Sequence, residues 1–168
     1  MKRLFAIMIT ATVTLFLFGG CAAKQNPTCR ELVEIMTEAE ISLPAGTVFS
    51  LAAAEGEDGY MSNSLLSSLY GNGEMPPLRE CWVDGAVFLP SNAHPCELAV
   101  FLCNSHDAAT DTARLLCRRL DAIRMTKGDS EYAEMIGKAT VNVRGNYVIF
   151  IISSDTASAI KAINSALG

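Results

Sequence analysis

The sequence predicts an α+β fold, with a mainly antiparallel four-stranded sheet packed with helices in two or three layers. Three observations carry that expectation. Residues 107–125 repeat apolar side chains every three or four positions, as one face of a long helix does. Residues 82–89 and 98–103 are apolar runs of strand length, rich in Val and Phe. Residues 139–144 and 147–153 flank Gly145-Asn146, a pair that suits the two-residue turn of a β-hairpin.

Taken in order, the domain begins at Thr28. Thr28-Cys29-Arg30-Glu31 has the pattern of a capping box, with a hydroxyl for an orphan amide and a Glu reaching back. Leu32, Ile35, Met36 and Ala39 then predict an amphipathic helix over 29–41, which Pro44 and Gly46 end. Residues 54–60 read as an acidic, glycine-containing loop. A short helix over 64–70 is stopped by Gly71, Gly73 and Pro76-Pro77. Pro90, Asn92 and Pro95 mark the loop between the two apolar strands. In the long helix Ala109, Ala113, Leu116, Leu120 and Ile123 form the apolar stripe, while Asp111, Arg114, Arg118 and Asp121 lie off it. A shorter helix over 130–138 buries Tyr132, Met135 and Ile136. In the hairpin Val143 opposes Val148 and Val141 opposes Phe150, so these four share a face with Ile152. The other face carries Asn142, Arg144, Tyr147, Ile149 and Ile151. Ser154 or Asp155 caps a last helix that turns Ala157, Ile160, Ile163 and Leu167 inward.

Ahead of this domain stands a different kind of segment. Lys2 and Arg3 precede an apolar run over 4–18, which ends at Phe18-Gly19-Gly20-Cys21. A basic start, an apolar stretch and small residues at a processing point are the layout of a secretory signal. A run of about 15 residues is short of the ~20 that span a bilayer as a helix. Ending in two glycines and a cysteine, the segment resembles the lipobox of bacterial lipoproteins. That resemblance implies cleavage before Cys21, a diacylglyceryl group on its thiol with palmitate-type chains, and a site on the extracytoplasmic side of the cell membrane. The expected organisation is a signal peptide over 1–20, a lipidated cysteine and short tether over 21–27, and one domain over 28–168. Two acyl chains, at about 0.8 kcal/mol per buried methylene, hold durably where a single chain holds marginally.

Composition narrows the partners. Removing residues 1–20 takes two of the 13 basic residues and none of the 18 acids, which moves the net charge from −5 to −7. Such a balance argues against nucleic acid and against a polybasic grip on anionic lipid. With Cys21 committed to lipid, the remaining cysteines are Cys29, Cys81, Cys96, Cys103 and Cys117, an odd number that cannot all pair within the chain. Export permits one or two disulfides. Reduced cysteines acting as small hydrophobes fit the apolar stripes around Cys103 and Cys117 equally well.

The lipobox, Leu69-Tyr70-Gly71, Glu97-Leu98-Ala99-Val100-Phe101 leading into a charged helix, and Gly145-Asn146-Tyr147-Val148 come in a recognisable order. Together they resemble an uncharacterised family of small lipoproteins, a domain of unknown function, from Gram-positive, clostridia-type bacteria. The resemblance spans most of residues 28–167 and implies a location and a fold. It implies no catalytic residue and no cofactor.

Four groups of residues invite chemistry. His94, Cys96, Cys103 and His106 have the residue types of a zinc site, but a six-residue extended strand separates the two pairs by roughly 20 Å, too far to share one ion. His106, Asp107 and Cys103 or Ser105 could be assembled as a nucleophile with its base, as a small hydrolase would need, yet no Gly-x-Ser-x-Gly elbow is present and Asp107 suits a helix N-cap. Glu55, Glu57 and Asp58 do not match the ligand order of a calcium loop. Arg114, Arg118, Arg119 and Arg124 could meet phosphates or an acidic polymer, and interleaved with Asp111 and Asp121 they also describe a solvated helix face. The remaining anomaly is in the sheet. Tyr147, Ile149 and Ile151 make the second face of the hairpin apolar, so either helices cover both faces or this face docks an envelope partner.

Overall fold

The computed structural model describes residues 26–40, 42–71, 76 and 78–168. The signal segment, Cys21 and most of the tether lie outside these residues.

The central strand explains the rest. Strand β3 (Glu97–Cys103) is apolar from Leu98 onward, and a strand that greasy must be covered on both faces. It takes the middle of an antiparallel sheet in the order β1-β2-β3-β5-β4, with β1 (Gly46–Ser50), β2 (Trp82–Pro90), β4 (Thr140–Arg144) and β5 (Tyr147–Ile152). Alternate residues feed two separate cores. Ala99, Phe101, Cys103, Val148, Phe150 and Ile152 face one, together with α2 (Asn63–Tyr70), α3 (His106–Lys127) and α4 (Ala133–Gly137). Leu98, Val100, Ile149 and Ile151 face the other, beneath α1 (Cys29–Glu38) and α5 (Thr156–Leu167). The α+β class holds, and the domain has three layers.

The hairpin register is as expected, with Val143 opposite Val148 and Val141 opposite Phe150. Gly145 takes a φ of +58°, as a primed turn requires. The capping box at Thr28 is complete: its hydroxyl accepts from the Glu31 amide, and the Glu31 carboxylate accepts from the Thr28 amide.

Several expectations need correction. The sheet has five strands rather than four. The additional strand is β1, opened by Gly46, where a Cβ would lie 2.4 Å from the Leu89 carbonyl oxygen. The glycine that reads as a helix stop is there because the neighbouring strand passes too close for a side chain. Asp107 is not the cap of α3. Ser105 is, its Oγ accepting from the Ala108 amide, and Asp107 sits in the first turn, where a negative charge suits the helix dipole. Along α5 Ile163 is buried and Ile160 and Leu167 pack against the core as expected, but Ala157 is exposed and Thr156 and Ala159 are buried instead. Helix α1 ends at Glu38, and α4 is shorter than its predicted span.

The sheet has two unlike ends. Seven residues of β3 span about 20 Å. At its Cys103 end the strand meets the hairpin tip, where the Cys103 amide donates to the Asn146 carbonyl. The start of α1 is held at the same end, the Cys29 amide donating to Asp84 Oδ2. The last turn of α5 joins them, its Asn164 accepting from Arg144. At the Glu97 end the strand meets residues 91–96 and the C-terminal half of α3. The chain enters at the first end, and a polar cleft opens at the second.

Candidate functional site

That cleft has a volume of about 340 Å³, near the lower limit for ligand pockets. Its walls come from two sources. One is the loop after β2, pinned by the Ser91 amide donating to Ala45 O and shaped by Pro90 and Pro95. Within it the His94 amide donates to Asn92 Oδ1, and the Cys96 amide donates to His94 Nδ1 at 3.1 Å. The second imidazole nitrogen is therefore the one that carries a proton in the neutral ring. The ring also packs edge-on against Tyr132, centroids 4.6 Å apart. The other wall is α3, which contributes Arg119, Ile123, Thr126 and Lys127.

Between these walls lies the most unusual group in the fold. Glu97 is 1% exposed, yet it occupies an inward position in phase with Ala99 and Phe101. Three donors satisfy it. Tyr70 Oη, from the last residue of α2, donates to Oε1 at 2.9 Å, while Arg119 donates to Oε2 from Nε at 3.2 Å and Nη2 at 3.0 Å. Burial pushes the Glu97 carboxyl above the ordinary carboxylate range, with Arg119 and Tyr70 pulling against it. Burial also keeps the Tyr70 phenol well above its usual value, so it stays a donor. Tyr70 is fixed by edge contacts with Phe101 at 5.6 Å and Trp82 at 6.3 Å. Arg119 keeps partial access to solvent and lines a second, smaller cleft of about 220 Å³ with Leu69, Leu115 and Arg118.

On the opposite face at this end sits a second buried acid. Glu40 Oε2 is hydrogen-bonded to the Ser153 hydroxyl, and its Oε1 has no partner among the described residues. Burial raises its pKa, and Asp155 adds to the rise. Cys96 lies close by, and its thiol is pushed up to about 12, by burial first and then by Glu40 and Glu97. It is a protonated, inert thiol at neutral pH. The cleft can therefore hold a polar group by charge and hydrogen bonds from Arg119, Lys127 and His94, over an apolar floor of Leu89 and Ile123.

The other candidate residues are dispersed. His94 and Cys96 lie at the Glu97 end, whereas Cys103 and His106 lie at the opposite end of β3, with His106 Nδ1 3.2 Å from the Gly145 carbonyl oxygen. Cys96 and Cys103 even belong to different cores. Among the described residues no three His, Cys, Asp or Glu side chains are grouped to hold a metal. Cys103 contacts Thr112 Oγ1 rather than a base, so the His106 assembly does not form. Glu55, Glu57 and Asp58 are exposed, and Glu57 closes its own loop by accepting from the Ala54 amide. Arg114 and Arg124 pair with Asp111 and Asp121 in solvent, which leaves Arg119 as the one of the four that turns inward. The apolar centre of the second hairpin face is covered by helices. Ile149 and Ile151 are 3% and 0% exposed beneath α1 and α5, while Tyr147 and Arg144 at the rim are partly accessible and Asn142 is exposed.

Among the described residues, Cys29, Cys81, Cys96, Cys103 and Cys117 are unpaired thiols. Among the described residues, no helix is long and apolar enough to cross a membrane. No family model, curated protein or solved structure matches this chain.

Proposed function

We propose that this chain is an extracytoplasmic lipoprotein, held to the cell membrane by a diacylglyceryl group on Cys21, and that its domain is a non-catalytic binding module for another envelope component. The observation that carries the reading is Phe18-Gly19-Gly20-Cys21 after a basic start and an apolar run, seven residues ahead of the helix cap at Thr28. The binding site is the cleft at the Glu97 end, about 20 Å of strand away from the point where the tether enters. A module built this way turns its polar cleft toward the wall and its tether toward the bilayer. Its partner is an envelope protein or a wall component that presents an acidic or strongly hydrogen-bond-accepting group to Arg119 and Lys127.

The test is metabolic labelling with an alkyne palmitate analogue, followed by membrane fractionation. The parent chain carries the label and sediments with membranes, and the Cys21→Ala form carries none and is released. A Cys21→Ala form that is processed and retained like its parent refutes the anchor. Loss of crosslinking to envelope material on Lys127→Glu, with anchoring intact, supports the cleft as the binding site.

A further inference from the structure

An opening of about 540 Å³ lies at the other end. Asn26 and Pro27 form part of its wall, together with Leu102, Arg144, Tyr147 and Leu167. The domain's first described residues thus line this opening. Five peptide units separate Asn26 from Cys21, at most about 18 Å when extended. An acylated thiol at Cys21 cannot let this end stray far from the bilayer surface.

The surface that is brought there has the character of an interface binder. Two of the large apolar side chains that the fold leaves exposed, Val83 at 65% and Val143 at 40%, lie on strands at this same end. Tyr147 offers an apolar ring and a polar tip, the combination that settles at the level of lipid headgroups. Arg144 is held on the rim by Asn164 and the Gly168 carbonyl oxygen. Of the acids at this end, Asp84 accepts from the Cys29 and Gly85 amides and Glu31 accepts from Thr28, while Asp107 stands exposed in the first turn of α3. Apolar tips, an amphipathic ring and one fixed cation around the tether exit match a layer of phosphate headgroups over acyl chains.

We propose that the Cys103 end of the domain docks onto the phospholipid headgroup layer, with Arg144 on phosphate and Val83, Val143 and Tyr147 at the acyl boundary, so that the lipid anchor and this face together fix the domain upright. The proposal rests on anchoring through Cys21. It goes further in giving the tethered domain a set orientation rather than free rotation on its leash.

Trp82, the single tryptophan, pairs with Cys103 at this end and reports on it directly. The experiment takes the full lipidated chain, reconstituted in phosphatidylglycerol–phosphatidylcholine vesicles containing lipids with a nitroxide on the headgroup. Flotation reports anchoring, and quenching of Trp82 fluorescence reports docking. The expected result is flotation with strong quenching. Arg144→Gln is expected to lower the docked-to-undocked ratio about five-fold, in line with one basic contact at an anionic surface. Val83→Asp, at a site too exposed to disturb the fold, is expected to have an effect in the same direction. Floated protein whose Trp82 is unquenched overturns the proposal and leaves the face to another occupant. Quenching that neither substitution changes also overturns it, since the tether alone then accounts for proximity. Loss of flotation sinks the anchor reading itself, and this proposal with it.

Discussion

Replacing Arg119 with Met puts the buried Glu97 cluster to its sharpest test. The carboxyl is 1% exposed and accepts two of its three hydrogen bonds from Arg119. Removing one member of a buried pair costs about 3–5 kcal/mol when the partner is left charged and dry. Arg119 is itself 27% exposed, so water reaches the guanidinium and reduces its share, and about 2 kcal/mol at neutral pH is the expected loss. The pH dependence is the diagnostic part. Burial already raises the folded-state pKa of Glu97, so its contribution to stability is greatest near and below the unfolded value of about 4.5 and declines as pH rises through the folded value. Removing Arg119 raises the folded value further. The decline then extends to higher pH and becomes deeper. Urea unfolding of parent and Arg119→Met at pH 5 and pH 8 should show a larger difference at pH 8. Arg119→Met combined with Glu97→Leu should recover much of the loss, because no buried charge remains. An equal penalty at the two pH values, or one below about 0.5 kcal/mol, would refute the reasoning.

Other consequences can be measured on the same protein. Glu40 is buried with an unpartnered oxygen and a raised pKa, so it weakens the fold as pH rises above the ordinary carboxylate range. Glu40→Gln should raise stability at pH 8 by about 1 kcal/mol and change little at pH 4, as read by urea midpoints. Trp82 Nε1 donates to the fully buried Thr112 hydroxyl at 2.9 Å, and Thr112→Val leaves that donor unsatisfied. About 2 kcal/mol should be lost, with Thr112→Ser costing less. Native-state maleimide labelling followed by mass spectrometry should modify Cys117 first, because it is exposed. Cys29, Cys96 and Cys103 should react only after unfolding, since burial raises all three thiol pKa values.

Much of the fold could be read from periodicity, and the places where the reading stops have local causes. The hairpin, the long helix and the Thr28 cap each carry a signal within a few residues, and each stands where expected. Strand β1 does not announce itself. It is five residues long, and its glycine reflects contact with Leu89 and Phe88, residues some forty positions away. Ser105 and Asp107 are both competent caps, and only the start of the helix chooses between them. The apolar second face of β5 could be read, but not what covers it, because α1 and α5 come from opposite ends of the sequence.

The candidate site was less legible, for a different reason. His94 and Cys96 attracted notice as metal-ligand types, and they do line the cleft. Arg119 stood out only as one of four helix arginines, and Glu97 and Tyr70 only within short recognisable stretches, although two of the three leave a trace of the buried cluster. Glu97 falls in the inward phase of a strand that is otherwise apolar, and Arg119 falls three residues after Leu116 and four before Ile123, on the helix stripe. A charge in the apolar phase of two elements suggests that the two charges meet. That inference needs the pairing of elements, which a single sequence does not supply. Glu40 lies just past a helix end and carries no periodic signal at all.

Intact mass measurement of the protein extracted from its own membranes tests the lipid anchor most directly. The account predicts a chain that begins at Cys21 and carries the added mass of a diacylglyceryl group. A membrane-bound chain that still begins at Met1 with an unmodified Cys21 thiol would contradict it.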